Sequence, residues 1–268
     1  MKGRVLVIAG SDSGGGAGIQ ADIKTITALG GYAMTAITAL TAQNTRGVAG
    51  VHAVPPAFVA EQIRVTLQDL GADAVKTGML VDAATITAAA DTLDRLAPDV
   101  PWVIDPVMAA KSGDRLLDAA ATRALTERLI ARAALVTPNL PEAAALTGRP
   151  ALAEGDMAEA GRAILAAGAK AVLVKGGHLT GKTVVDVLVT AAGSERFECP
   201  RIDTRHTHGT GCTLASAIAC GLAQGLGLRD AVVRARAYVQ AAILTAPGFG
   251  SGHGPMNHAH TVGRFGKD

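Results

Sequence analysis

Thr207-His-Gly-Thr-Gly-Cys212-Thr213 stands directly before a long run rich in Ala and Leu. Gly209 and Gly211 let the backbone turn its amides inward, and the N-terminus of a following helix adds a partial positive charge. The chemistry this suits is the holding of an anion. Cys212 falls in the first helical turn, where a thiolate would be favoured. A second reading stands equal beside it: a small buried cysteine packing the helix, as Cys220 is expected to be. Six further segments carry the same vocabulary of Gly, Asp, Asn, Lys and Thr: 10–18, 41–45, 77–79, 105–113, 138–142 and 175–178. It is the vocabulary of phosphate and Mg²⁺ sites.

Two familiar patterns fail on context. Gly176-Gly-His-Leu-Thr-Gly181-Lys182-Thr183 matches the phosphate-loop pattern GxxxxGK[ST]. Such a loop must open a helix, but here Thr183 leads into Val-Val-Asp-Val-Leu-Val, a β-rich run. The segment therefore reads as the loop of a hairpin. Gly16-x-Gly18-x-x-Ala21 matches the dinucleotide fingerprint, which needs an acid about 20 residues on to bind ribose hydroxyls. After Asp22 the next carboxylate is Glu61, so the fingerprint is incomplete.

The elements that must position these loops alternate regularly. Val5–Ala9, Met34–Leu40, Ala74–Lys76, Trp102–Ile104, Leu135–Thr137 and Ala171–Lys175 read as buried strands. Between them Gly18–Leu29, Pro56–Leu70, Ala83–Leu96, Ala119–Ile130 and Met157–Ala167 have helical patterns. This spacing predicts one α/β domain over residues 1–268, with a mostly parallel sheet and helices on both faces. Val184–Thr190 and Arg196–Cys199 follow without an intervening helix and read as an antiparallel edge hairpin. Thr210–Gly225 and Leu228–Ala246 close the chain as helices. In such sheets ligands lie beyond the carboxyl ends of the strands, where the loops above fall.

Composition excludes several classes. The chain has 268 residues and a formal charge of +2, too balanced for an affinity built on many phosphate contacts. Aromatic residues make up 3 %, which leaves no stacking platform for single strands. A hydrophobic content of 49 % excludes general disorder. The three cysteines contain no CxxC and suggest a reducing compartment rather than a disulfide framework. No apolar run is long enough to span a membrane, and the N-terminal run Val5–Ala9 is too short for a signal peptide. The expectation is a cytoplasmic protein.

Taken together, GSDSGGGAGIQAD, TAQNT, VKTGML, DPVMAAKSG, TPNLPEA, VLVKGGH and GTGCT resemble the hydroxymethylpyrimidine/phosphomethylpyrimidine kinases of thiamine biosynthesis, members of the ribokinase-like superfamily. The match runs in order from about residue 4 to the GSGHGPMNH segment at 250–258. The resemblance implies a single-domain ribokinase-like fold. It implies ATP-dependent phosphorylation of 4-amino-5-hydroxymethyl-2-methylpyrimidine and then of its monophosphate. It implies Mg²⁺ as cofactor, a homodimer, and neither nucleic acid nor membrane as partner.

The resemblance also assigns residues. Gln43 matches the residue that reads the pyrimidine edge, a role a carboxamide suits because it both donates and accepts. Asp22 is implied at the substrate site, against the alternative of a helix polar face. Gly10, Met79 and Val107 are implied as pocket walls, with a plain core role equally open for Met79. Lys175 is implied to contact the transferring phosphate. Asp105 and Glu142 are implied to hold Mg²⁺ largely through water, with Asn139 beside them. Glu142 also suits the start of a helix. Gly209, Gly211 and Cys212 form the catalytic loop. Thr207, His208 and Thr210 are implied at the nucleotide. Whether Cys212 takes a proton or only positions the alcohol stays open. Met108–Asp114, with Lys111, Ser112 and Gly113, is expected to be a flap over the phosphates. His206, His253, His258 and His260 lack the spacing of a transition-metal site. The alternative function is a pyridoxal or pyridoxine kinase of the same superfamily.

Overall fold

The computed structural model describes residues 1–109, 117–149 and 153–263. In chain order the strands are β1 (Arg4–Asp12), β2 (Tyr32–Asn44), β3 (Gly47–Ala53), β4 (Ala74–Thr77), β5 (Trp102–Ile104), β6 (Leu135–Val136), β7 (Ala171–Lys175), β8 (Thr183–Thr190) and β9 (Gly193–Pro200). The helices are α1 (Gly18–Ala28), α2 (Pro56–Asp69), α3 (Ala83–Leu96), α4 (Ala119–Ala124), α5 (Leu140–Thr147), α6 (Met157–Ala166), α7 (Thr210–Ala223) and α8 (Leu228–Leu244).

One sheet runs β3-β2-β1-β4-β5-β6-β7-β8-β9. The six strands from β2 to β7 in that order are parallel, while β3, β8 and β9 pair antiparallel at the edges. Strand alternation divides the core in two. Leu6 and Ile8 face the side covered by α2, α3, α5 and α6, whereas Val5, Val7 and Ala9 face α1, α7 and α8. The chain passes from β1 out to β2 and returns to β4 on the other side of β1. That reversal opens a crevice beyond the carboxyl end of β1.

The expected parallel sheet and β8–β9 hairpin are present, and 176–182 is the turn between β7 and β8. Three expectations change. The segment 41–45 was expected as a loop, but Thr41–Asn44 continue β2 and pair with β3. β3 carries two glycines and little apolar alternation, so pairing rather than propensity makes it a strand. The segment 138–142 starts α5. Asn139 accepts from the Glu142 amide at 2.9 Å while the Glu142 carboxylate accepts from the Asn139 amide at 2.7 Å, a capping box. The helix expected over Ala119–Ile130 is α4 followed by a π turn at Leu125–Leu129. Most of the flap expected at Met108–Asp114 lies outside the described residues.

On the second face α1 and α7 lie side by side in the same direction, joined rung by rung. The Gly18 amide lies close enough to favour the Cys212 thiolate. The Ser216 hydroxyl donates to Asp22 at 2.7 Å, Cys220 approaches the Ile26 carbonyl at 3.9 Å, and Gln224 donates to the Leu29 carbonyl at 2.9 Å. Each rung is about one helical turn from the last. Both helix N-termini therefore reach the same point of the crevice.

Candidate active site

A cleft of about 960 Å³ crosses the carboxyl ends of the parallel strands. Of the residues expected to act, Gly10, Gln43, Met79, Asp105, Val107, Asn139, Glu142, Lys175, Thr207, His208, Gly209, Thr210, Gly211 and Cys212 all line it. Strand order spreads them out. Gln43, Gly10 and Met79 sit toward β2 and β1, while Asp105, Glu142 and Lys175 sit at the ends of β5, β6 and β7.

In the middle of the cleft Lys175 Nζ lies 3.0 Å from Asp105 Oδ1 and 4.0 Å from Glu142 Oε2. Thr137 donates to the same Asp105 oxygen at 3.2 Å. Burial opposes the charge on Lys175, but the two carboxylates outweigh it and raise its pKa. Burial pushes Glu142 up to about 7, Lys175 working against the rise and Asp105 adding to it. One ammonium thus faces two buried carboxylates. An acid with a raised folded pKa is favoured when protonated, so its contribution to stability falls as pH rises from about 4.5 through 7. Glu142→Gln is therefore expected to raise the melting temperature at pH 8 and to leave it unchanged at pH 5. Thermal denaturation at both pH values checks this, and an equal shift at the two would refute it.

The anion loop is built on close approach. Gly209 has φ +81°, and a Cβ on it would lie 1.9 Å from the Gly16 carbonyl oxygen. A Cβ on Gly211 would lie 3.2 Å from Lys175 Nζ, so a side chain there would push the ammonium back from the helix start. Residues 253–258 brace the loop from behind. The His208 amide donates to the Gly254 carbonyl at 3.1 Å, Thr213 meets His258 Nε2 at 3.0 Å, and Tyr238 donates to the His258 carbonyl at 2.6 Å. Burial pushes His258 down to about 4, so the ring that meets Thr213 is neutral.

Cys212 corrects the expectation of a favoured thiolate. Lys76 and the Gly18 amide lower its pKa, but burial dominates, Asp22 and Asp105 add to it, and the thiol is pushed up to about 11. Asp22 is corrected too. It is fully buried, does not line the cleft, and binds Lys76 Nζ at 2.9 and 3.0 Å. Burial pushes the Asp22 carboxyl up, yet two Lys76 bonds and the Ser216 hydroxyl favour its ionised form, and the geometry is that of an ion pair. For Met79 the wall reading prevails: it lines the cleft, and its methyl fills the space a Gly10 Cβ would need.

Sequence reasoning missed Asp12. Its buried carboxylate accepts from the amides of Gly14, Gly16 and Ala17 at 2.8, 3.1 and 2.8 Å, and from His208 Nε2 at 2.8 Å. Burial opposes this charge, but the His208 bond and the amides hold its pKa below the usual range. It joins the glycine turn after β1 to the anion loop, and Gln43 lies 3.4 Å from the same His208 nitrogen. The signal available was Asp-Ser followed by three glycines. Lys76 was missed as well, because a lysine inside a buried strand gives no hint of its partner. The far end of the cleft, toward β8, β9 and α8, is walled by Val184, Val239 and Ile243 with Arg201 and Arg236. Arg201 donates to the carbonyls of Gly177, Leu179 and Gly181 and so ties down the β7–β8 turn. Among the described residues no group of three or more His, Cys, Asp or Glu could hold a metal ion, and no helix is long and apolar enough to cross a membrane.

Comparison with known proteins gives one family. A phosphomethylpyrimidine kinase family model matches residues 12–257. The chain is 55 % identical over 257 residues to the thiamine biosynthesis bifunctional protein ThiED of Geobacter sulfurreducens, covering 96 % of this chain but 52 % of that protein. It is 48 % identical to the hydroxymethylpyrimidine/phosphomethylpyrimidine kinase of Streptomyces coelicolor, covering 97 % of this chain and 95 % of that one. Among solved structures, phosphomethylpyrimidine kinase of Clostridium difficile is similar with a TM-score of 0.80 at 42 % identity, over 90 % of this chain and 100 % of that one. An ADP complex of Bacillus subtilis pyridoxal kinase gives 0.88 at 37 % identity, over 97 % and 98 %.

Proposed function

Because this chain belongs to the phosphomethylpyrimidine kinase family, we propose that its cleft moves the terminal phosphate of ATP to two acceptors in turn. The first is the hydroxymethyl group of 4-amino-5-hydroxymethyl-2-methylpyrimidine. The second is the monophosphate so formed. The observation that carries the reading is one continuous cleft joining Gln43 to the Lys175 cluster and the glycine start of α7.

Gln43 presents its carboxamide beside His208, where it can read a ring edge carrying an amino group. Gly10 and Met79 shape the apolar wall the ring packs against. Gly209, Gly211 and the first amides of α7 face the phosphate in transfer, and Lys175 adds a full charge from a buried, fixed position. Thr207, His208 and Thr210 flank the same anion site, and the apolar wall at Val239 and Ile243 suits the nucleotide's base.

Asp105, Glu142 and the nearby Asn139 fit a divalent cation: two buried carboxylates share one ammonium, and hard oxygen donors suit Mg²⁺ with most of its water retained. When bound, the ion would neutralise charge on the nucleotide phosphates.

Cys212 is a thiol at rest. Burial pushes it up to about 11, so it stays protonated near neutral pH. Transfer through a loose transition state asks little of a base, so the thiol's task is to orient the alcohol. The second acceptor is an ionised phosphate that needs no such help. Cys212→Ala is expected to slow the first single-turnover step by about 10²-fold and the second by under about tenfold. Equal losses in the two rates would sink this assignment. The reading includes a homodimer, for which light scattering should give twice the 27.0 kDa of the chain.

Incubation with Mg-ATP and, separately, hydroxymethylpyrimidine, its monophosphate and pyridoxal tests the whole. Conversion of both pyrimidines with slow pyridoxal is the expected result. Fast pyridoxal turnover with an inert monophosphate would overturn the substrate while leaving the phosphate chemistry in place.

A further inference from the structure

Lys76 is a lysine with no exposed surface, placed on β4 in the middle of the sheet. A Cβ built on Gly78, which lines the cleft, would lie 3.2 Å from Lys76 Nζ. The ammonium therefore sits one atomic layer beneath the cleft. Asp22 of α1 holds it with both carboxylate oxygens, and Ser216 of α7 holds Asp22. Ser216 is one helical turn after Cys212, and Asp22 is one turn after Gly18, at the start of each helix. The charge thus lies directly behind the point where the two helix N-termini converge.

We propose that Lys76 is a positioning residue whose ammonium, fixed by Asp22 beneath Gly78, stabilises negative charge on the acceptor oxygen from behind the cleft wall. The role rests on the reading of the cleft as a pyrimidine kinase. Burial opposes the ammonium, but Asp22 and Asp105 outweigh it and raise its pKa, so Lys76 stays charged across the working pH range while Asp22 holds it. A permanent charge acts differently on the two acceptors. The alcohol gains negative charge only as it attacks, so Lys76 should lower that barrier without tightening binding. The monophosphate arrives charged, so there Lys76 should tighten binding.

A plain structural role for the pair makes a different forecast, because Lys76→Met and Asp22→Asn break the same contact. The two changes shift local charge in opposite directions. Lys76→Met is expected to lower kcat for hydroxymethylpyrimidine about 30-fold with KM within about threefold, and to raise KM for the monophosphate at least about tenfold. Asp22→Asn leaves the lysine in place without its counter-ion, so it is expected to stay within about fivefold in kcat at pH 6 and to approach the Lys76→Met value as rising pH neutralises the buried amine. Removing a buried pair together is often neutral for folding, so the double variant D22N/K76M keeps the test available if K76M alone does not fold. It should show the Lys76→Met kinetics. Equal kcat losses in K76M and D22N at pH 6, or wild-type kcat in the double variant, would overturn the role. Wild-type turnover of both pyrimidines in the same assay separates that failure from a failure of the kinase reading, and a wild type inert toward both would overturn the two together.

Discussion

Lys175→Ala should reduce kcat by about 10³-fold, as expected for loss of one fixed donor aimed at developing charge. The cause begins in β7, whose final residue is this lysine. The side chain is 12 % exposed, so water screens it little, and it lies between Asp105 and Glu142. Its removal leaves two buried carboxylates facing one another, which costs about 3–5 kcal/mol if neither is neutralised. Glu142 is already pushed up to about 7 with the lysine present, and it will move higher without it. The variant should therefore be less stable at pH 8 than at pH 6, with kcat depressed at both. Steady-state kinetics and thermal denaturation at the two pH values check this. Retention of kcat within tenfold would remove Lys175 from the transfer step.

Gly209→Ala has the largest expected effect on the loop. Its φ of +81° belongs to the left-handed region, where a Cβ costs about 1 kcal/mol. The Cβ would also lie 1.9 Å from the Gly16 carbonyl oxygen, a contact that backbone movement alone can relieve. The turn after β1 must then part from the start of α7, pulling His208 from Asp12. A total cost of about 3 kcal/mol is expected, hence a fall in melting temperature of roughly 6–12 °C. The anion site is displaced as well, and kcat/KM should fall at least about 10²-fold. Gly155→Ala is the control: nothing lies within 4 Å of its Cβ position, and its cost should stay within about 0.5 kcal/mol. A Gly209→Ala protein with wild-type melting and kinetics would show that the two loops need not touch.

Much of this was legible in the residues, for reasons that can be named. Strands such as Val5–Ala9 are buried on both faces and announce themselves as apolar runs. Glycines beside a helix start mark a phosphate-type loop because no other residue allows the approach. Pairings between distant positions left no such mark. Lys76 and Asp22 are 54 residues apart, and Asp12 and His208 are 196 apart, so nothing local names the partner. β3 was hidden because it depends on its neighbour rather than on its own composition. Cys212 shows the limit of local electrostatics. A helix N-terminus argues for a thiolate, but burial in the same turn outweighs it, and burial is a property of the whole fold.

The brace formed by residues 253–258 bears on how the enzyme is made. The turn at Thr45 is held by the amide of His253 across 208 positions, and His208 is held by Gly254. During synthesis, β1, α1 and β2 emerge nearly two hundred residues before α7. The nascent chain can lay down β1, β2 and β4 early, but their crevice has no anion loop until α7 arrives and no brace until residue 258 has followed. Contacts of such separation form slowly, and partly exposed intermediates persist meanwhile. Catalytic competence therefore waits on the brace, and a chain cut before residue 250 is expected to lack an ordered anion loop.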